Sequence, residues 1–414
     1  MLALRLARGA HPLVQLRRFL VAAASAGTGF LLLCTLGYAM GHPEAAAGSM
    51  LRLAWCLAPL AATVYFAVAV ARTDPGTRPR SGLAAIGLGP ARLMALSAVT
   101  TALSTTLGSL LALVVFLHLR GDLTGLPFDG AAAGFLAADQ ALPLPAALTL
   151  LALVPVSASM ASALVLRPKD GRPRRTGWRG GPSSASGTGD APDAQLDGLP
   201  GEALVAESPT APRPAPGGLP WGVAALAAGL AVETYASRSD RAPGPHLPGG
   251  LAVGPAGVLA GWALTALGLA LAAPAIAHGC GWLLQAVRPG ALRLLAGRGL
   301  QEEARRLGRP LGVVCAVASG AYATAALYAG ARPSFGPLTA LGAVLVTGCT
   351  LATLATAAIE AKQARADTVA ALVRLGAPAT LLRTAALLRA GALAAVFVPL
   401  TWLVAELAAM PLAG

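Results

Sequence analysis

The chain has 414 residues, of which 56% are hydrophobic and only 12% charged, and its mean hydropathy is +0.66. Such a composition excludes a soluble globular protein of this length. The formal net charge of +13 does not point to nucleic acid, because the basic residues flank apolar runs and are not interleaved with aromatics.

The chain opens on a basic segment, Leu2 to Arg18, in which Leu4, Leu6 and Leu13 alternate with arginines at roughly helical spacing. That pattern suits an elbow helix lying along a membrane interface, leucines toward lipid and arginines toward headgroups. Nine apolar runs then follow, at about 19–40, 52–71, 94–119, 141–166, 219–236, 252–285, 310–330, 337–360 and 383–409. Each is long enough to cross a bilayer as a helix, which takes about 20 residues, and none alternates with period two as a barrel strand would. The expected fold class is therefore all-α, a polytopic helical membrane protein. The fifth run is the shortest, and the sixth is overlong, so it must tilt or run on along the surface. Arg17 and Arg18 before the first run resemble the start of a signal peptide, but Arg305 and Arg306 repeat the pattern in mid-chain, which favours an uncleaved first helix. Cys34, Cys56, Cys280, Cys315 and Cys349 all fall in apolar runs without CxxC pairing, and read as packing residues rather than metal ligands or disulfides.

Residues 167–218 are dominated by Pro, Gly, Ser, Arg and Asp, too little apolar surface to offset ordering entropy, which predicts a disordered linker. Its basic first part, Arg167 to Arg179, suits contact with anionic lipid. With the N-terminus inside, 25 of the 31 basic residues lie on the cytoplasmic side of the nine spans, and the positive-inside rule fixes that orientation.

A duplication organises the rest. Ala3, Leu4, Arg5, Leu6 recur as Ala291, Leu292, Arg293, Leu294, and Arg17 and Arg18 recur as Arg305 and Arg306, each 288 positions on. Leu88 and Gly89 return as Leu375 and Gly376 at an offset of 287. Four regions follow: a first module at 1–166 (elbow helix plus four spans), the linker at 167–218, two connecting spans at 219–287, and a second module at 288–414. The second module has an elbow helix, with Leu292, Leu295 and Leu300 expected toward lipid, and three spans, so a closing helix is missing. Duplicated membrane halves are common in transporters.

The informative segment is Glu360, Lys362, Arg365, Asp367, Val369, Leu372, Leu375, Gly376, Ala377 and Pro378. Val369, Leu372 and Leu375 stand at i, i+3 and i+6, one apolar stripe on a short helix with Arg365 and Arg374 on its other side. Gly376 can take the left-handed conformation beyond a helix C-terminus, and Pro378 discourages continuation. A short amphipathic helix between two spans is the shape of a coupling helix that enters a groove on another protein. The corresponding first segment, Arg78, Arg80, Leu83, Ile86, Leu88 and Gly89, is interrupted at Asp74-Pro75-Gly76 and reads as degenerate.

A charged cluster at the end of a span, a short apolar helix closing on Leu375-Gly376-Ala377, and a long Leu/Ala span together resemble the FtsX-like permease domain of ABC transporters. In that family the cluster is Glu/Arg-rich and a Glu precedes the first apolar residue of the helix; here Thr368 stands in that place, with Asp367 before it, and Val373 replaces the usual Arg. The resemblance implies a permease without enzymatic activity of its own, coupled through Glu360 to Gly376 to a cytoplasmic ABC ATPase dimer. It would export or extract an amphiphile such as a lipid, peptide or lipophilic drug, in contact with membrane lipids, alone, as a homodimer or beside a second permease, and with no nucleic acid. No cofactor is expected: the two lysines, Lys169 and Lys362, follow Pro168 and Ala361, so no P-loop exists and the ATPase is a separate chain. A non-transporting regulator coupled to an ATPase and an ion-coupled carrier are the alternatives. For the carrier, Glu233, Glu406, Arg389, His118 and His278 are the charged candidates. The first two and His118 fall near outer span ends, and Arg389 is near enough to the inner end to snorkel.

Overall fold

The structure, a computed structural model, describes residues 12–73, 90–123, 127, 129–167, 216–239, 246–247, 251–252, 256–286, 290–327 and 336–410. The N-terminal elbow up to His11, the first coupling segment at Arg78 to Gly89 and nearly all of the linker lie outside these residues.

The apolar runs fold as helices because in lipid each backbone N–H and C=O must be satisfied within its own segment. They are α1 (Pro12–Gly41), α2 (Ala46–Thr73), α3 (Pro90–Arg120), α4 (Leu144–Val165), α5 (Leu219–Ser239), α6 (Ala256–Ala286), α7 (Ala291–Leu327), α8 (Pro337–Ala364), α9 (Ala366–Arg374) and α10 (Ala379–Ala409). Between α5 and α6, β1 (His246–Leu247) and β2 (Leu251–Ala252) form a two-residue antiparallel pair. Eight stretches among the described residues are long and apolar enough to cross a bilayer, α8 running on through α9 in one of them. The molecule is an all-α, multi-pass membrane protein. The expected span at 310–330 is the second part of α7, helical to Leu327, and is not among these eight.

The two expected modules share an order of helix contacts. Within the first module α1 lies chiefly on α3 and less on α2; within the second, α7 lies chiefly on α10 and less on α8. The modules meet where α8 packs on α2, with Trp55 against Gly342, and on α1, with Leu345 against Gly27. The fourth helix, α4, closes the first module on α1, α2 and α3. The second module has no helix in the equivalent place among the described residues: α6 packs on α5 and α7 and touches α10, but not α8.

Residues 291–309 correct the elbow expectation. They are not a separate helix at the lipid interface but the first half of a single 37-residue helix that continues through Pro310, and Leu300 is buried rather than turned to lipid. The physical reason is a glycine seam with α6. Gly281 faces Gly297, Gly308 lies against Pro274, and Gly312 against Leu269 and Ala270, so backbones approach closely enough for van der Waals packing to hold the pair in lipid. The same seam runs along the overlong sixth run, α6, from Leu269 to Gly281. At the other end of α3, Arg120 is buried and donates through Nη2 to the carbonyls of Ala137 (3.1 Å) and Gln140, tying the loop before α4 to the bundle.

Candidate functional site

α8 ends at Ala364, a single residue, Arg365, breaks the helix, and α9 runs from Ala366 to Arg374. Asp367 stands in the first turn and Arg374 in the last, each at the helix end whose dipole it complements. The terminus is a Schellman motif: Gly376 N–H donates to Val373 O (3.0 Å) and Ala377 N–H to Leu372 O (3.0 Å), with Gly376 at φ +88°. An L-residue at that φ would carry a steric penalty, which fixes the need for glycine.

No residue of α9 is buried. Val369, Val373 and Leu375 are exposed, Leu375 by 84%, and Leu372 is half-buried. The apolar stripe is therefore left uncovered by the rest of the chain. Lys362 and Asp367 are likewise exposed, whereas Glu360 and Arg365 turn inward. Arg365 forms an ion pair with Glu303 of α7 and donates from Nε to Ala361 O at 3.2 Å. Glu360 lies 3.9 Å from Arg306 of α7 and within electrostatic reach of Arg17 of α1.

Glu303 is the centre of this arrangement. It is 7% exposed, and Arg389 of α10 reaches it from the other side at 3.9 Å. Burial pushes its carboxyl above the ordinary carboxylate range, against the pull of Arg365 and Arg389. Three elements thus converge on one carboxylate: α7 through Glu303, the α8/α9 break through Arg365 and α10 through Arg389. Arg365, the residue between α8 and α9, is thereby tied to α7 and, through Glu303, to α10.

Sequence reasoning singled out the segment from Glu360 to Gly376 but missed Glu303 and Arg306. The available signal was Glu302-Glu303, an acidic pair inside an otherwise basic segment. Arg389, expected to snorkel, instead points into the bundle toward Glu303. Of the other intramembrane candidates, Glu406 accepts from Tyr322 Oη at 3.0 Å. His118 lies 4.0 Å from Asp129 and 3.0 Å from Pro127 O, His278 is half-buried, and Glu233, expected at an interface, is fully buried. Among the described residues no group of His, Cys, Asp and Glu could hold a metal ion, and all five cysteines are buried and free.

Compared with models of protein families, with curated proteins and with solved structures, the chain matches none.

Proposed function

We propose that the chain is the membrane-spanning permease subunit of an ABC transporter of FtsX-like type. It sits in the cytoplasmic membrane with its N-terminus inside, and a separate cytoplasmic ATPase dimer drives it. The observation that carries this reading is α9, a short amphipathic helix whose apolar stripe is uncovered while both its flanks are anchored. Left to itself, an exposed Leu375 beside Val369 and Val373 is a liability in water; seated in a groove on an ATPase it becomes the anchor of a helix-in-groove contact. Closure of the ATPase dimer pushes on α9, and the Arg365–Glu303–Arg389 cluster passes that displacement to α7 and α10. The described segments outside the spans include no large domain, so the cargo enters from the bilayer, which suits a lipid, a peptide or a lipophilic drug.

The test is co-purification from the native membrane followed by ATPase assay in lipid. An ATPase subunit is expected to accompany the chain, with turnover that responds to the permease, and the Leu372→Asp, Leu375→Asp double substitution is expected to abolish that response without lowering thermal stability. Unchanged coupling in the double variant would remove α9 from the mechanism.

A further inference from the structure

The α5/α6 pair takes no part in the coupling scheme, yet it holds the most costly side chain in the membrane region. Glu233 on α5 is 1% exposed, and neither carboxylate oxygen has a hydrogen-bond donor. Two further buried polar atoms, on the facing turns of α6, are unpartnered as well: the hydroxyl of Thr265, which lies against Gly229, and the indole N–H of Trp262, next in sequence to Gly261.

The sequence dictates the juxtaposition. On α5, Gly229 precedes Glu233 by four residues; on α6, Gly261 precedes Thr265 by four. The helices pack so that each glycine receives the other helix's polar residue. A Cβ on Gly261 would stand 2.6 Å from Glu233 Cγ and 2.8 Å from Gly229 O, and one on Gly229 would meet Thr265 at its hydroxyl and, at 2.6 Å, at its backbone N. Only glycine permits this approach. The carboxyl is thereby held within the seam against Gly261, the residue before Trp262 and one helical turn before Thr265.

What such a site can take follows from what surrounds it. On α6, the turns from Gly257 to Thr265 carry no titratable side chain. On α10, which touches α5, the titratable residue toward the C-terminal end is Glu406, already bonded to Tyr322 of α7, while Arg383 and Arg389 belong to the opposite end. On α5 itself Tyr235 is exposed, and the Arg238 side chain lies outside the described residues. No charged side chain acts on Glu233 among the described residues. A metal ion would need several oxygen or nitrogen ligands gathered around it, and none gather here. A basic side chain of another protein cannot reach a group buried to this degree. A proton needs neither space nor further ligands.

We infer that Glu233, with Thr265 and Trp262 beside it, is an intramembrane proton-binding site built into the α5/α6 seam. As the neutral acid it fits the closed glycine contact; releasing the proton to water leaves a carboxylate that must recruit the Thr265 and Trp262 donors or water, which loosens the seam. Proton occupancy is thereby linked to how tightly α5 docks on α6. This holds whether or not the chain couples to an ATPase.

Infrared spectroscopy of the full-length protein in phosphatidylethanolamine/phosphatidylglycerol vesicles tests it. The expected result is a carboxylic-acid C=O band in the wild type that shifts in heavy water and disappears as the pH is raised. It is lost in Glu233→Gln, returns at a different frequency in Glu233→Asp, and moves in Thr265→Val, which removes one of the two donors. Because Glu233→Asp retains a carboxyl and the wild type is titrated alone, the reading does not depend on one variant folding. Wild-type and Glu233→Gln spectra that coincide in this region at every pH would overturn the proposal, since the group would then be ionised throughout. A band that persists unchanged at alkaline pH would overturn it equally, because that proton never leaves.

Discussion

The contact of α1 with α3 and that of α7 with α10 are equivalent in chain order, but different polar groups hold them. In the first module the bonds lie within the bundle and use hydroxyls. Ser25 Oγ donates to Thr105 O at 2.7 Å, Thr28 and Thr63 share a hydrogen bond at 2.9 Å, and Ser109 donates to Leu151 O of α4 at 3.2 Å. In the second module Ala304, Cys315 and Phe397 are among the core residues, and the polar contacts between α7 and α10 lie toward their two ends, the Glu303 cluster at one and the Tyr322–Glu406 bond at the other. The residue 288 positions before Glu303 is Gln15 and the one 287 before Arg389 is Ala102, so neither has a charged counterpart in the first copy, whereas Arg365 corresponds to Arg78. The first module is joined by hydroxyl bonds along its length, the second by acidic and basic groups toward its ends.

Substitutions can separate these arrangements. The largest effect is expected at Gly108, where an added Cβ meets the backbone of Ala22 and, at 2.7 Å, Ser25 Cβ. Gly108→Leu should destabilise by about 3 kcal/mol, in the overpacking range. Gly391→Leu on α10, where nothing lies within 4 Å, should leave the thermal midpoint unchanged; equal losses would erase the distinction between a tightly docked α3 and an open face on α10.

Next come the charges. Because burial outweighs pairing at Glu303, Glu303→Gln is expected to cost less than Arg365→Ala, which leaves a buried acid short of its partner and costs about 1–3 kcal/mol. Thermal unfolding of both variants in detergent checks the order. The pH dependence has a definite sign. A carboxyl whose folded value is raised holds its proton more tightly folded than unfolded, so its contribution is fully present below the unfolded value of about 4.3 and is lost as pH rises through the folded value. The midpoint of the wild type should therefore carry a component that falls with rising pH and is missing in Glu303→Gln.

The smallest effects belong to single caps and hydroxyls. Gly376→Ala should cost about 1 kcal/mol, confined to α9 because the φ of +88° is strained for alanine, and hydrogen exchange of α9 amides reads it. Thr28→Val should cost about 0.6 kcal/mol, the usual worth of a hydroxyl bond between helices in a membrane.

Much of the fold was legible in the sequence, because length and hydropathy alone decide which segments cross a bilayer. The 288-residue offset anticipated the repeated packing of α1–α3 and α7–α10. The elbow at 291–309 was misread because its alternating Leu and Arg suit an interface as well as a helix whose glycines dock on α6; only the three-dimensional seam with Gly281 decides between them. The stripe at Val369, Leu372 and Leu375 was visible from spacing, since a short helix carries its own periodicity. Glu303 was not, because its meaning depends on Arg365 and Arg389, 62 and 86 positions away, and no local pattern joins them. Glu233 stands near a span end in both sequence and structure, but its burial depends on which helix face α6 covers, which no local pattern shows.

The central claim is that α9 is seated on an ATPase. A photocrosslinking amino acid at Leu375, introduced in the native host and irradiated in intact cells, tests this directly. The account predicts an adduct whose second component is an ATPase subunit, and its loss when Leu372 is replaced by Asp. Crosslinking to lipid alone, or to proteins without an ATPase among them, would contradict it.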